Sequence, residues 1–364
     1  MYTIFIMHAY QMKAKITGVG SYIPHRVVKN TNFLKNTFLN EDGTPFNGDN
    51  ETIIAKFVAI TGIEERRYID DNQVTSDIAT AAAQRAIEDA GIDAETLDYI
   101  ILAHNYGDVK TSGGTSDAIP SLASRVKHKL GIKNPGCVAY DVLFGCPGWV
   151  LGVSQAYAFL QAGMAKKVLV IGAESLSRVI DTHDRDGMIY SDGSGAVVIE
   201  ASNTGNSGIL GLAAATYAAD EAFLIFNSRS FNPAVPQNDT FIKMYGRRIY
   251  NFALTQVPAG MNAAMEQAGV DIKDLKKIFI HQANEKMDEA IVARFYKLHG
   301  LEMPKDVMPM NIHLLGNSSV ATVPTVFDMV VKGQLAGHSL SPGDLIMFAS
   351  VGAGMNVNAI VYRY

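Results

Sequence analysis

Two stretches of this chain repeat one pattern, and that repeat limits the possible folds more than any other feature. Around 145 the sequence reads Gly145-Cys146, then a helical stretch, a strand, and SDGSGAVVIE (191–200). Around 316 it reads Gly316-Asn317, a helical stretch, a strand, and SVGAGMNVNAIVY (350–362). The S-x-G-x-G segments lie 159 residues apart and the Gly-Cys and Gly-Asn pairs 171 apart, which predicts an internal duplication. Each unit alternates β-rich runs, such as LDYIILAHN (97–105), KVLVIGAES (167–175) and KKIFIHQAN (276–284), with helical runs such as TSDIATAAAQRAIEDAGI (75–92). Strand alternating with helix predicts parallel sheets with helices over both faces. The boundary falls at ASNTGNSG (201–208), giving halves 13–200 and 201–364 whose equivalent loops meet at a pseudo-twofold axis.

Composition closes off several classes. The net charge of −5 gives no global reason to bind nucleic acid or an anionic membrane, so an acidic partner has to meet a local basic patch. Cys137 and Cys146 are the only cysteines, which argues against a disulfide framework and for a reducing, cytoplasmic compartment. No run approaches the roughly 18 apolar residues of a membrane span. Residues 1–12 are apolar but lack a basic region and a small-residue cleavage site, so they read as an N-terminal extension rather than a signal peptide. The polar, turn-rich stretches 36–51, 111–120 and 229–241 read as surface loops.

Cys146 stands where a β-rich run meets Gly145 and then Pro147, a residue favoured at the first position of a helix. Its thiol is therefore expected at a helix N-terminus, where free amides and the helix dipole lower a thiol pKa. Cys137 has no such setting and reads as a small buried apolar residue. His281 ends the strand-like run 276–280 and opens an amphipathic helical run, the junction at which α/β proteins place reactive groups. Asn317 follows Gly316 among small residues, which permits close approach of backbone and substrate. Taken singly, each has a bland alternative: a buried thiol, a capping histidine, a Gly-Asn turn.

Together they narrow the choice. The order Cys, His, Asn also fits papain-type peptidases, with Cys146 and His281 separated by 135 residues. The peptidase nucleophile, however, lies near a mature amino terminus in a disulfide-bearing chain, whereas Cys146 is mid-chain in a duplicated α/β pattern.

FGCPGW (144–149), IHQAN (280–284) and GNSSVATVP (316–324) resemble the β-ketoacyl-acyl carrier protein synthase III enzymes of the thiolase superfamily. TGIEERRYI (61–69), DRDGMIYSDGSGAVV (184–198), IKMYGRRIYNFAL (242–254) and SPGDLIMFASVGAG (341–354) extend the likeness from about residue 13 to the end. The resemblance implies an α/β, thiolase-like fold of two duplicated halves in five αβαβα layers. It implies catalytic Cys146, His281 and Asn317, with an oxyanion hole from the backbone of Cys146, Gly352, Ala353 and Gly354. Arg178, Lys243, Arg247, Arg248, Asn284 and Lys286 would contact the thioester carrier or acyl carrier protein. No metal or cofactor is implied beyond substrates carried on coenzyme A or on the phosphopantetheine of acyl carrier protein. A homodimer is implied as well.

Departures sort the relatives. SVGAG lacks the second cysteine of thiolases, and Asn317 stands where the elongating synthases carry a second histidine. Plant-type polyketide synthases share Cys-His-Asn but end in a different glycine-rich loop. Lys56 and Ile60 stand in place of a Trp and an Arg that help hold the coenzyme A nucleotide in typical initiating enzymes, and Pro147-Gly148-Trp149 replaces the usual Ala- or Ser-Gly-Phe. The implied activity is acylation of Cys146 and decarboxylative condensation with malonyl-acyl carrier protein in fatty acid biosynthesis. The alternatives are a specialised lipid, aryl-polyene or resorcinol enzyme taking a longer or 3-oxoacyl donor, and a non-catalytic scaffold, against which the intact Cys, His and Asn argue.

Overall fold

A computed structural model describes residues 13–112, 115–236 and 238–364; the N-terminal extension expected over 1–12 lies outside the described residues. Five strands form the first sheet: β1 (Lys13–Tyr22), β2 (Tyr99–Ala103), β3 (Val138–Val142), β4 (Lys167–Ser175) and β5 (Asp192–Ser202), in the order β1-β5-β4-β2-β3. Four form the second: β6 (Gly208–Thr216), β7 (Leu275–Ile280), β8 (Leu345–Gly352) and β9 (Asn356–Arg363), in the order β7-β8-β9-β6. The sheets are mixed, a correction to the parallel arrangement expected. β2 runs parallel to β3 and β4, and β7 parallel to β8, but β5 and β9 run antiparallel to both neighbours. The reason is the connection: only Ala353–Met355 separate β8 from β9, too few residues for a parallel crossover.

The strands are apolar on both faces because both are covered. Along β4, Val168 and Val170 face a central core, whereas Leu169, Ile171 and Ala173 face an outer one. Along β8, Ile346 and Phe348 join the same central core, and Met347, Ala349 and Val351 a second outer one. Helices α3 (Gly148–Gln161) and α6 (Thr322–Val331) fill the middle layer. Outside the first sheet lie α1 (Thr75–Ala90) and α2 (Leu122–Lys129); outside the second lie α4 (Gly246–Ala268) and α5 (Glu285–Leu298). The result is the five-layered αβαβα arrangement expected.

The halves match in detail. A Cβ on Gly18 of β1 would run into the backbone of Ala86 and Ala90 on α1, and a Cβ on Gly211 of β6 into Ala264 and Ala268 on α4. β3 has no full counterpart; in its place the Val307 carbonyl accepts from Ile278 N–H on β7 at 2.8 Å. Among the described residues no helix is long and apolar enough to cross a membrane.

Candidate active site

Gly145 turns the chain out of β3 with φ +66° and leads into Pro147, which caps α3. Helix α3 thus begins at Gly148, one residue later than expected. The C-terminal glycine loop lies directly on this turn. A Cβ on Gly145 would strike the Ala353 backbone, and one on Gly352 would strike the Cys146 amide nitrogen. Glycine at both places lets the two chain segments touch, bringing the Cys146 amide beside the 352–354 loop.

His281 leaves β7 with its N–H donating to the Ala349 carbonyl on β8 at 2.9 Å. Gln282 anchors the next residue, donating to the Pro309 carbonyl and accepting from Asn311 N–H. The imidazole is buried, and its Nδ1 has no protein partner. Burial pushes its pKa down to about 4, against a hydrogen bond to the Ser319 backbone that works the other way, so the ring is neutral near pH 7.

Gly316 (φ +61°) makes the equivalent turn before α6. Asn317 is pinned by its backbone, donating to the Ile189 carbonyl at 2.9 Å and accepting from Ser191 N–H at 2.8 Å. The Ser319 N–H donates to Asn317 Oδ1 at 2.8 Å. A donor at that oxygen fixes the amide orientation and leaves the Asn317 NH₂ free for another acceptor.

Cys146, His281, Asn317 and Ser319 line one cavity of about 230 Å³, whose remaining wall is largely apolar and includes Ile189, Ile225, Phe226, Met244 and Met355. A second cavity of about 490 Å³ shares Ile189, Met244, Ile249 and Met287 with it and carries Lys56, Ile60, Arg185, Arg247 and Asn284. Together they form a path with charged groups at its mouth and a greasy floor beside the thiol.

Residues 140–218 match the family profile described as 3-oxoacyl-[acyl-carrier-protein (ACP)] synthase III, and 265–364 match its C-terminal profile. A β-ketoacyl-[acyl-carrier-protein] synthase III of Erythrobacter litoralis is 32% identical over 97% of this chain and 100% of its own length. The chain belongs to this family. It is therefore an acyl-transferring condensing enzyme of the thiolase fold. The Neisseria meningitidis serogroup B protein of the same name is 32% identical over 96% of this chain and 99% of its own. The solved synthase III of Thermus thermophilus superposes with a TM-score of 0.79 at 29% identity, covering 96% of this chain and 99% of that one.

Three expectations about the family site need correction. Lys243 is not part of a surface patch: it is buried, paired with Asp181 at 2.7 Å and Asp184 at 3.0 Å, with the Phe231 ring against its ammonium. Arg178 lines neither cavity; its guanidinium donates to the Asp70 carbonyl, and Arg185 occupies the mouth instead. The Cys146 thiol is not lowered: burial pushes it up to about 11, and a hydrogen bond from Ser319 offsets only part of that. Arg247, Arg248 and Lys286 are exposed, and Asn284 caps α5 by accepting from Met287 N–H. Sequence reasoning missed Ser319, whose hydroxyl donates to the Cys146 sulfur, and Asn105 and Glu174, which lie behind it. Ser319 was in plain view within GNSSVATVP, but its importance comes from its backbone angle of φ +52°.

Proposed function

We propose that this chain takes an acyl group from a thioester onto Cys146 and joins it to a malonyl unit on acyl carrier protein with loss of carbon dioxide. The observation that carries this is the meeting of Cys146, neutral His281 and the free Asn317 amide at one apolar cavity. In acylation the Cys146 sulfur bonds to the donor carbonyl, the carrier's C–S bond breaks, and the thiol proton leaves with the carrier. A malonyl thioester then enters; its carboxylate departs as carbon dioxide and the electron pair moves onto the thioester oxygen. A His281 N–H and the Asn317 NH₂ are the donors for that oxygen. The carbanion attacks the acyl-Cys146 carbon, whose oxygen is received by backbone amides of Cys146 and the 352–354 loop, and Cys146 departs as thiolate. Written this way, the reaction uses only the chain's own groups and substrates on coenzyme A or phosphopantetheine.

The named relatives favour a place in fatty acid biosynthesis over a specialised pigment or lipid pathway. Arg185, Arg247, Arg248 and Lys286 offer cations to an acidic carrier protein around the mouth. A homodimer is supported by β3, an edge strand with Val138 exposed at its start and Leu143 exposed just past its end. The two unpaired cysteines are in keeping with the cytoplasm. The test is intact-protein mass spectrometry after incubation with acyl-coenzyme A and acyl-carrier protein donors. A donor-sized mass gain on the Cys146 peptide, absent in Cys146→Ala, is the expected result; no adduct from any donor overturns the proposal.

A further inference from the structure

Ser319 touches two members of the site. Its hydroxyl donates to Cys146 Sγ at 3.3 Å and its N–H donates to Asn317 Oδ1. It does so from φ +52°, a left-handed conformation that non-glycine residues seldom adopt. Behind it, Asn105 Nδ2 donates both to Ser319 Oγ at 3.3 Å and to Glu174 Oε1 at 2.5 Å. Because the serine oxygen accepts from Asn105, its single hydrogen is left for the sulfur. Glu174 is 1% exposed and its other oxygen has no protein partner. A carboxyl group in such a place is destabilising unless it holds something, and the group it holds is the Asn105 amide.

We propose that Ser319 is a further catalytic residue whose hydroxyl stabilises the Cys146 thiolate, and that Asn105 and Glu174 are positioning residues that aim it. This rests on the reading of Cys146 as the acylated nucleophile. Hydrogen bonds to a charged acceptor are shorter and stronger than those to a neutral one, so a donor fixed at the sulfur favours the ionised form that attacks. The serine keeps its hydrogen throughout; the proton that leaves Cys146 departs with the carrier thiol. The titratable groups facing the sulfur are Glu174 on β4, His281 after β7, and the phenols of Tyr106 and Tyr190, with His104 and Asp192 acting on Glu174 from behind. An ionised Glu174 opposes the thiolate by charge, so its service to the site is as an acceptor that orients Asn105.

That distinction sets the experiment, which follows the rate of iodoacetamide alkylation of Cys146 against pH by intact mass. Ser319→Ala should raise the midpoint by about one pH unit, roughly tenfold slower alkylation near neutrality, the worth of one ordinary hydrogen bond. Asn105→Ala should move the midpoint the same way, with no further shift when combined with Ser319→Ala, and Glu174→Ala should lie above Glu174→Gln, since both lose the charge but only the alanine loses the acceptor. Glu174→Gln keeps an acceptor for Asn105 and should leave the midpoint at or below the wild-type value. The proposal falls if Ser319→Ala and Asn105→Ala leave the midpoint unmoved while wild-type protein still forms its acyl adduct, or if Glu174→Gln rises as far as Glu174→Ala. Absence of an acyl adduct in wild-type protein sinks the nucleophile reading beneath it as well.

Discussion

The two halves place a histidine at the same point of the same topology, and they use it in opposite ways. His104 follows β2 and His281 follows β7, and each of these strands lies parallel to the strand that ends beside the site. Both side chains are buried. His104 is bonded at both nitrogens: Nδ1 accepts from Gly107 N–H at 3.0 Å, so Nε2 carries the proton and donates to Asp141 at 3.0 Å. Asp141 in turn accepts from Leu122 and Ala123 N–H at the start of α2. His281 has no carboxylate partner and an unpartnered Nδ1. One histidine is consumed by the scaffold, and the other is kept available for chemistry.

The largest effects should separate the two. His281→Ala and Asn317→Ala should each lower malonyl decarboxylation on the order of a hundred- to a thousandfold, the usual loss for one oxyanion donor, while Cys146 still takes up an acyl group. His104→Ala should instead cost about 2–4 kcal/mol of stability by leaving the buried Gly107 N–H without its acceptor, taking one donor from Asp141 and opening a cavity. Single-turnover acylation, decarboxylation rates and chemical denaturation read the three quantities independently. A His104 variant that folds normally yet cannot decarboxylate would break the comparison.

Acid and base should then pull the halves apart. His281 sits near 4 in the fold against an ordinary value of 6.5, so below pH 6.5 the unfolded chain binds a proton that the native one refuses. Stability from this group is intact above pH 6.5 and falls by about 3 kcal/mol as pH drops toward 4. Glu174 is raised from 4.5 to about 7 by burial, so the unfolded chain ionises first. Its contribution is greatest below pH 4.5 and falls by about 3 kcal/mol as pH rises through 7. Melting temperatures of His281→Ala and Glu174→Gln, each taken relative to wild type between pH 4 and 8, should slope in opposite directions. Parallel slopes would show that these two groups do not carry the pH dependence.

The contrast between residues also explains what the sequence could tell. Gly145-Cys146 and Gly316-Asn317 were legible because a glycine at positive φ before a helix leaves a mark on the chain itself. The same holds for His281 at the end of an apolar run. Lys243 was misread because it stands beside Arg247 and Arg248 in sequence, yet the short strand Phe241–Met244 turns it inward to Asp181 and Asp184, about sixty residues away. Arg178 and Arg185 are one short loop apart, and only the folded course of that loop decides which reaches the mouth. The thiol of Cys146 shows the same limit in energetic form. Its place beside a helix start was readable, but the desolvation that outweighs the helix depends on everything packed around it.

The smallest expected effect tests the duplication rather than the chemistry. Gly18 faces Ala86 and Ala90, and Gly211 faces Ala264 and Ala268, so each sheet draws one outer helix close through the same pair of small residues. Neither glycine needs an unusual backbone angle, so the penalty for a side chain there is steric alone. Gly18→Val and Gly211→Val should therefore destabilise by similar amounts, about 1–3 kcal/mol each, by pushing α1 or α4 off its strand. Because the helices lie on opposite outer faces, the two losses should add within about 0.5 kcal/mol in the double variant. Urea denaturation of the four proteins measures this. A large cost at one glycine and none at the other would mean that the halves share a topology without sharing the packing that supports it.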